Sequence, residues 1–151
     1  DWRVHSSGMD ERMARRAAHV IGENERVLVG RAMLQAGDLE GFGASLYASH
    51  ASSQNNFENS CAELDTLVEA ARSIAGIYGA RLSGGGFGGS VIVLVDAAAV
   101  EAASVELRAA YAREYGVECE VVTVTAAAGA ALLTPEGQPR TINGEQQNEV
   151  T

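Results

Sequence analysis

Residues 84–89, Gly-Gly-Gly-Phe-Gly-Gly, place five glycines in six positions. Neither a helix nor a strand interior supports that density, because glycine loses more backbone freedom on folding than any other residue. The run is flanked by Ile77 to Leu82 and by the β-branched Val91-Ile92-Val93-Leu94-Val95, and both flanks read as strands. A strand–loop–strand unit is therefore the first expectation. The simplest reading of the loop is a flexible hairpin turn, but such a turn needs only one or two glycines at positive φ. The surplus points instead to bare backbone that lets another main chain approach, or that gathers N–H groups into an anion-binding concavity.

Gly84 to Gly89 also satisfies G-x-G-x-x-G, a pattern shared by unrelated nucleotide sites. The dinucleotide fingerprint requires a helix directly after the glycines, whereas Ser90-Val91-Ile92-Val93 favours a strand. A protein-kinase loop does lie between strands, but it is followed by a strand lysine and by H-R-D and D-F-G motifs. All eleven basic residues of this chain are arginines and none is lysine. Walker-type, protein-kinase and Schiff-base lysine chemistry is thus excluded within these 151 residues.

The rest of the chain reads as α+β, with helices packed on an antiparallel sheet. Apolar residues at helical spacing predict a helix over 10–36, with Gly22 as an interruption and Gly37-Asp38 as its end. A second helix is expected over 39–52, followed by a polar helix end and loop at Ser52-Ser53-Gln54-Asn55-Asn56. Ser60-Cys61-Ala62-Glu63 has the form of a capping box, opening a third helix over 61–74 that Gly76 stops. Asp96 caps a fourth over 97–115, closed by Gly116. Glu120 to Thr125 and Ala130 to Leu133 read as further strands. Residues 1–133 form the expected domain. Residues 134–151, rich in Pro, Gly, Gln, Asn and Glu, read as a disordered tail.

Composition narrows the partners. A net charge of −9 opposes nucleic acid or an anionic membrane, both of which need basic patches. No apolar run approaches the roughly 20 residues of a membrane span, so a cytoplasmic protein is expected. Cys61 and Cys119 lack any metal-ligand spacing and read as inert thiols. His5, His19 and His50 are too scattered for a zinc site, so no metal site is expected.

Tyr78-Gly79-Ala80-Arg81-Leu82-Ser83-Gly84-Gly85-Gly86-Phe87-Gly88-Gly89-Ser90 resembles the third conserved motif of galactokinases, in the GHMP kinase superfamily, usually G-[AS]-R-M-T-G-G-G-F-G-G-C. Arg15-Arg16-Ala17-Ala18-His19-Val20, Glu23-Asn24-Glu25-Arg26-Val27, Gly37-Asp38, Phe42-Gly43, Ser49-His50-Ala51-Ser52 and Ser60-Cys61-Ala62-Glu63-Leu64-Asp65 follow in that family's order. The resemblance covers about residues 9–133. It implies a ferredoxin-like GHMP kinase C-terminal domain from an enzyme that transfers the γ-phosphoryl of ATP, with Mg2+, to the anomeric hydroxyl of galactose or a related sugar.

In such kinases an N-terminal half supplies the sugar-binding motif, a G-L-S-S-S phosphate loop and the aspartate base. None of these occurs here, so the resemblance implies a fragment or one part of a split enzyme, inactive alone, with no catalytic residue in this chain. The N-terminal half is then a partner, and ATP and Mg2+ are held mainly by it. Ser83, Gly84, Gly85, Gly86, Phe87, Gly88 and Gly89 are implied to lie beside the phosphates. Ser83 keeps the hydroxyl of the family's threonine. Arg81 faces either phosphate or a structural ion partner.

The family form S-H-x-S-L-R-D-x-Y-x-V-S-C is altered here, with Ser53, Gln54 and Asn55 replacing Leu, Arg and Asp. If this segment approaches the sugar, a uronic acid or another aldose is an alternative to galactose. If not, a surface salt bridge has been exchanged for neutral groups. His50 is either a hydrogen-bonding group near the substrate or a structural histidine at a helix end. A non-catalytic module whose glycine loop binds a small anion or a partner is the competing reading.

Overall fold

The computed structural model describes residues 8–127, 132, 133, 135, 139 and 140. They fall into two units, 1–121 and 122–151. In the first, helix α1 (Glu11–Gln35) starts at Asp10, whose carboxylate accepts the Met13 N–H, and α2 (Leu39–Ser52) starts at Asp38 in the same way with Gly41. Both caps satisfy an amide that has no partner inside its helix. Helix α1 runs unbroken through Gly22, contrary to the expected interruption. A single glycine costs a helix only about 1 kcal/mol, and the Arg26 guanidinium covers the side where a Cβ would stand.

The polar patch after α2 continues the helix as one π-helical turn over Ser53–Phe57, where a loop was expected. Its own side chains sustain the turn: Asn55 Nδ2 donates to the Ala51 carbonyl and Asn56 Nδ2 to Ser52 Oγ. The turn ends at Glu58, in left-handed conformation (φ 57°), whose carboxylate is gripped by Arg15 and Arg16.

Helix α3 (Ala62–Ser73) begins at Cys61 with no side-chain cap. The expected capping box does not form: the N-cap position falls to Cys61, and Ser60 Oγ donates to Asp65 Oδ1 at 2.5 Å rather than accepting a helix amide. Strands β1 (Ile77–Ser83) and β2 (Ser90–Val95) make an antiparallel hairpin, with Leu82 opposite Val91 and Ser83 opposite Ser90. Helix α4 spans Val100–Tyr115 and ends at Gly116 (φ 72°). It starts three residues later than expected, since Asp96 uses its carboxylate on Ala98 N and its carbonyl on Ala99 N, closing a separate turn.

The α+β expectation holds, with helices against an antiparallel two-stranded sheet. The core is built from Val68, Ala71 and Ile74 of the α3 region, Ala80 of β1, and Ala103 and Leu107 of α4. Residues 120–125 form no strand. β-propensity needs a neighbouring strand to pair with, and among the described residues of the first unit the only ladder is β1–β2. In the second unit, β3 (Leu132–Leu133) pairs with β4 (Pro139–Arg140). The other residues read as a tail, and Ala130 and Ala131 of the last expected strand, lie largely outside the described residues. Among the described residues no helix is long and apolar enough to cross a membrane.

Main chain meets main chain where α2 passes β1. A Cβ built on Gly43 would stand 2.8 Å from Tyr78 Cβ and closer still to the Tyr78 carbonyl oxygen. One on Gly79 would stand 2.5 Å from Gly43 Cα. Two facing glycines allow this approach, and they fix where β1 delivers the loop that follows it.

Candidate functional site

The loop between β1 and β2 turns through positive φ at Gly84 (80°), Gly86 (83°), Gly88 (129°) and Gly89 (94°). Phe87 also lies in the left-handed region (φ 59°), an uncommon conformation for a bulky residue. The residue is 78% exposed. Around Gly84, Gly85 and Gly88 an added Cβ would meet nothing within 4 Å, whereas at Gly86 it would run into the carbonyl oxygen of Asn59. One side of the loop is therefore packed and the other is open.

The packed side rests on the segment joining α2 to α3. Asn59 Nδ2 donates to the Gly85 carbonyl at 3.0 Å, and the Phe87 N–H donates to the Asn59 carbonyl at 2.7 Å. Asn59 is 6% exposed, and its Oδ1 has no hydrogen-bond partner among the described residues. Sequence reasoning missed this residue. The signal was present, since Asn59 stands where the galactokinase form quoted above has valine.

His50 ties down the strand that feeds the loop. It is 4% exposed, its Nδ1 accepts the Leu82 N–H at 3.2 Å, and its Nε2 lies 3.0 Å from Asp65 Oδ1. Those two contacts define one neutral tautomer, protonated on Nε2. Burial lowers the His50 pKa from its ordinary value, and this outweighs the opposing pull of Asp65. Asp65 is a hub: besides His50 it accepts from Gln54 Nε2 at 2.8 Å and from Ser60 Oγ. It is a second residue whose place spacing alone did not disclose, because its partners come from three separate turns.

His50, Gln54 and Asp65 share one wall of a shallow pocket of about 360 Å³, with Thr66, Glu69 and Arg72 on the rest. Ser53 is 1% exposed, and its carbonyl accepts the Asn59 N–H. Asn55 is engaged by the π-helical turn as described. Arg81 stands apart from these groups: its Nη1 donates to Glu23 Oε2 at 3.2 Å and its Nε to the Leu82 carbonyl at 2.9 Å. Glu23 also holds Arg26 and accepts from Ser49 Oγ. Despite the burial that opposes it, those bonds keep its pKa below the ordinary value. Among the described residues no three His, Cys, Asp or Glu side chains cluster as metal ligands.

With this geometry in hand, the likeness to known proteins is specific. Residues 31–113 match the family described as GHMP kinases C terminal. The chain is 37% identical to a galactokinase of Roseiflexus over 91% of its own length and 35% of that protein. It is 41% identical to the galactokinase of Homo sapiens over 79% of its length and 29% of that protein. Among solved structures, Lactococcus lactis galactokinase complexed with galactose superposes with a TM-score of 0.69 at 40% identity, over 72% of this chain and 28% of that one. The L. major mevalonate kinase in complex with R-mevalonate superposes with a TM-score of 0.57 at 27% identity, over 71% and 32%. The chain spans about a third of the length of the curated relatives it matches.

Proposed function

Since the chain belongs to the GHMP kinases, carrying their C-terminal domain, we propose that it is the C-terminal part of a galactokinase-like sugar kinase. The complete protein transfers the γ-phosphoryl of ATP to the anomeric hydroxyl of galactose or of a related aldose or uronic acid, in the cytoplasm where ATP is supplied. Phosphoryl transfer asks for positioned donors more than for covalent chemistry. The observation that carries the reading is the asymmetric loop of residues 83–89, packed on Asn59 and open around Gly84, Gly85 and Gly88.

A backbone with these glycines fits an anion. Donors already fixed in place lose no energy to reorganisation when charge arrives, and missing Cβ atoms let phosphate oxygens approach the amides. In this reading the loop amides other than that of Phe87, which is bonded to Asn59, and the Ser83 hydroxyl lie beside the transferred group, while Mg2+, the rest of ATP and the base belong to the N-terminal part. Bound ATP supplies the electrophilic phosphorus. Ser53, Gln54, Asn55 and His50 shape the neighbouring segment, and Arg81 acts on the loop through Glu23 and β1 rather than on phosphate.

The test is to assay the complete protein for ADP release over a panel of aldoses and uronic acids with MgATP. Sugar-dependent ADP release is expected. Its absence with every sugar would refute the kinase reading.

A further inference from the structure

We propose that Asn59 is the positioning residue that sets the glycine loop for phosphoryl transfer. Three consecutive loop residues are registered on it. Its side-chain amide holds the Gly85 carbonyl, its main-chain carbonyl holds the Phe87 N–H, and Gly86 sits over that same carbonyl with no room for a Cβ. Asn59 is itself anchored, since its N–H donates to the carbonyl of Ser53, the first residue of the π-helical turn. It is buried, and its two bonds to the loop fall on the tip, with the open side left clear.

The inference rests on the kinase reading, because a loop position matters to turnover only if a reacting group lies against it. Within that reading the split of effects is specific. The Gly85 bond fixes where the loop amides point, and a misplacement of about 1 Å can cost about 100-fold in rate. In that reading the sugar-binding motif belongs to the N-terminal half, and the side chain of Asn59 bonds only to the glycine loop. Losing the bond should therefore lower kcat and leave the KM for sugar alone.

The experiment compares wild type, Asn59→Ala and Asn59→Asp in the complete protein, with kcat referred to folded enzyme. Asn59→Ala keeps the main-chain bond to Phe87 and loses the bond to Gly85, so kcat should fall about tenfold with sugar KM within about twofold. Asn59→Asp sets an oxygen against the Gly85 carbonyl, and kcat should fall about 100-fold. Amide hydrogen exchange over residues 84–89 should quicken in both. If Asn59→Asp does not fold, Asn59→Ala decides alone.

Unchanged kcat per folded molecule, or a loss shared equally with sugar binding, would overturn the proposal. If wild type itself releases no sugar-dependent ADP, the kinase reading has failed, and with it the catalytic part of this one. Exchange then still decides the structural part, which unchanged loop protection would refute.

Discussion

Gly43→Ala tests the seam on which the loop's position depends. Gly43 lies inside α2, where alanine is favoured over glycine by about 1 kcal/mol from helix propensity. Against that gain stands a Cβ placed 2.8 Å from Tyr78 Cβ and nearer still to the Tyr78 carbonyl. Both neighbours belong to the backbone or its first side-chain atom, so no rotamer change relieves the clash. The helix must retreat from β1 by about 1 Å, forfeiting a quarter to a half of the dispersion contact across the seam. Overpacking of this kind costs about 3 kcal/mol at the upper end of its usual range, leaving a net loss of about 2 kcal/mol. With a urea m-value of about 2 kcal/mol/M, the unfolding midpoint should fall by about 1 M. Gly85→Ala is the control, since its Cβ would meet nothing within 4 Å and Gly85 is not among the positive-φ glycines. Its stability should stay within about 0.5 kcal/mol of wild type, a midpoint shift of no more than about 0.25 M. A Gly43→Ala midpoint equal to that of Gly85→Ala would show that the close approach is not a constraint.

Two further outcomes are expected. His50 has its pKa lowered by burial, so the unfolded chain binds more protons than the folded one as pH falls through the ordinary histidine value of 6.5. Stability should be at its full value above that pH and decline below it, and His50→Gln should flatten the decline in urea titrations between pH 7.5 and 5. His19, whose pKa is also lowered mainly by burial, leaves a residual slope that His19→Gln should remove. Leu64→Ala empties a fully packed position on α3 (2% exposed) and should cost about 2–5 kcal/mol by chemical denaturation.

Much of the fold around the loop was legible because local chemistry specified it. The β-branched run after the glycines required a second strand, and Asp10, Asp38 and Gly116 mark helix ends where the structure has them. Spacing misled where a side chain had a better partner elsewhere. Ser60 has the capping-box interval to Glu63, yet Asp65 takes its hydroxyl. Asn55 and Asn56 looked like loop residues because their amides compete with the main chain. Here those amides bond back one turn and extend the helix. Asn59, Asp65 and the Gly43–Gly79 contact join residues 26 or more apart, or from separate turns, and no local period encodes such meetings. The glycines were visible in the sequence, but not which backbone each one faces.

The His50 bond to Leu82 has one more consequence. In an antiparallel hairpin a residue that gives its N–H elsewhere turns that edge away from its partner, so Leu82 presents an amide on the side of β1 not used by β2. Such an edge is where a stray extended chain adds itself. From Gly43 to His50, α2 advances about 10 Å, close to the rise of β1 from Gly79 to Leu82, and its two ends grip the strand at those points. An intruding strand would have to expel a buried imidazole before it could pair. The helix thus acts as a guard rail along a short hairpin that would otherwise invite fibrous self-assembly.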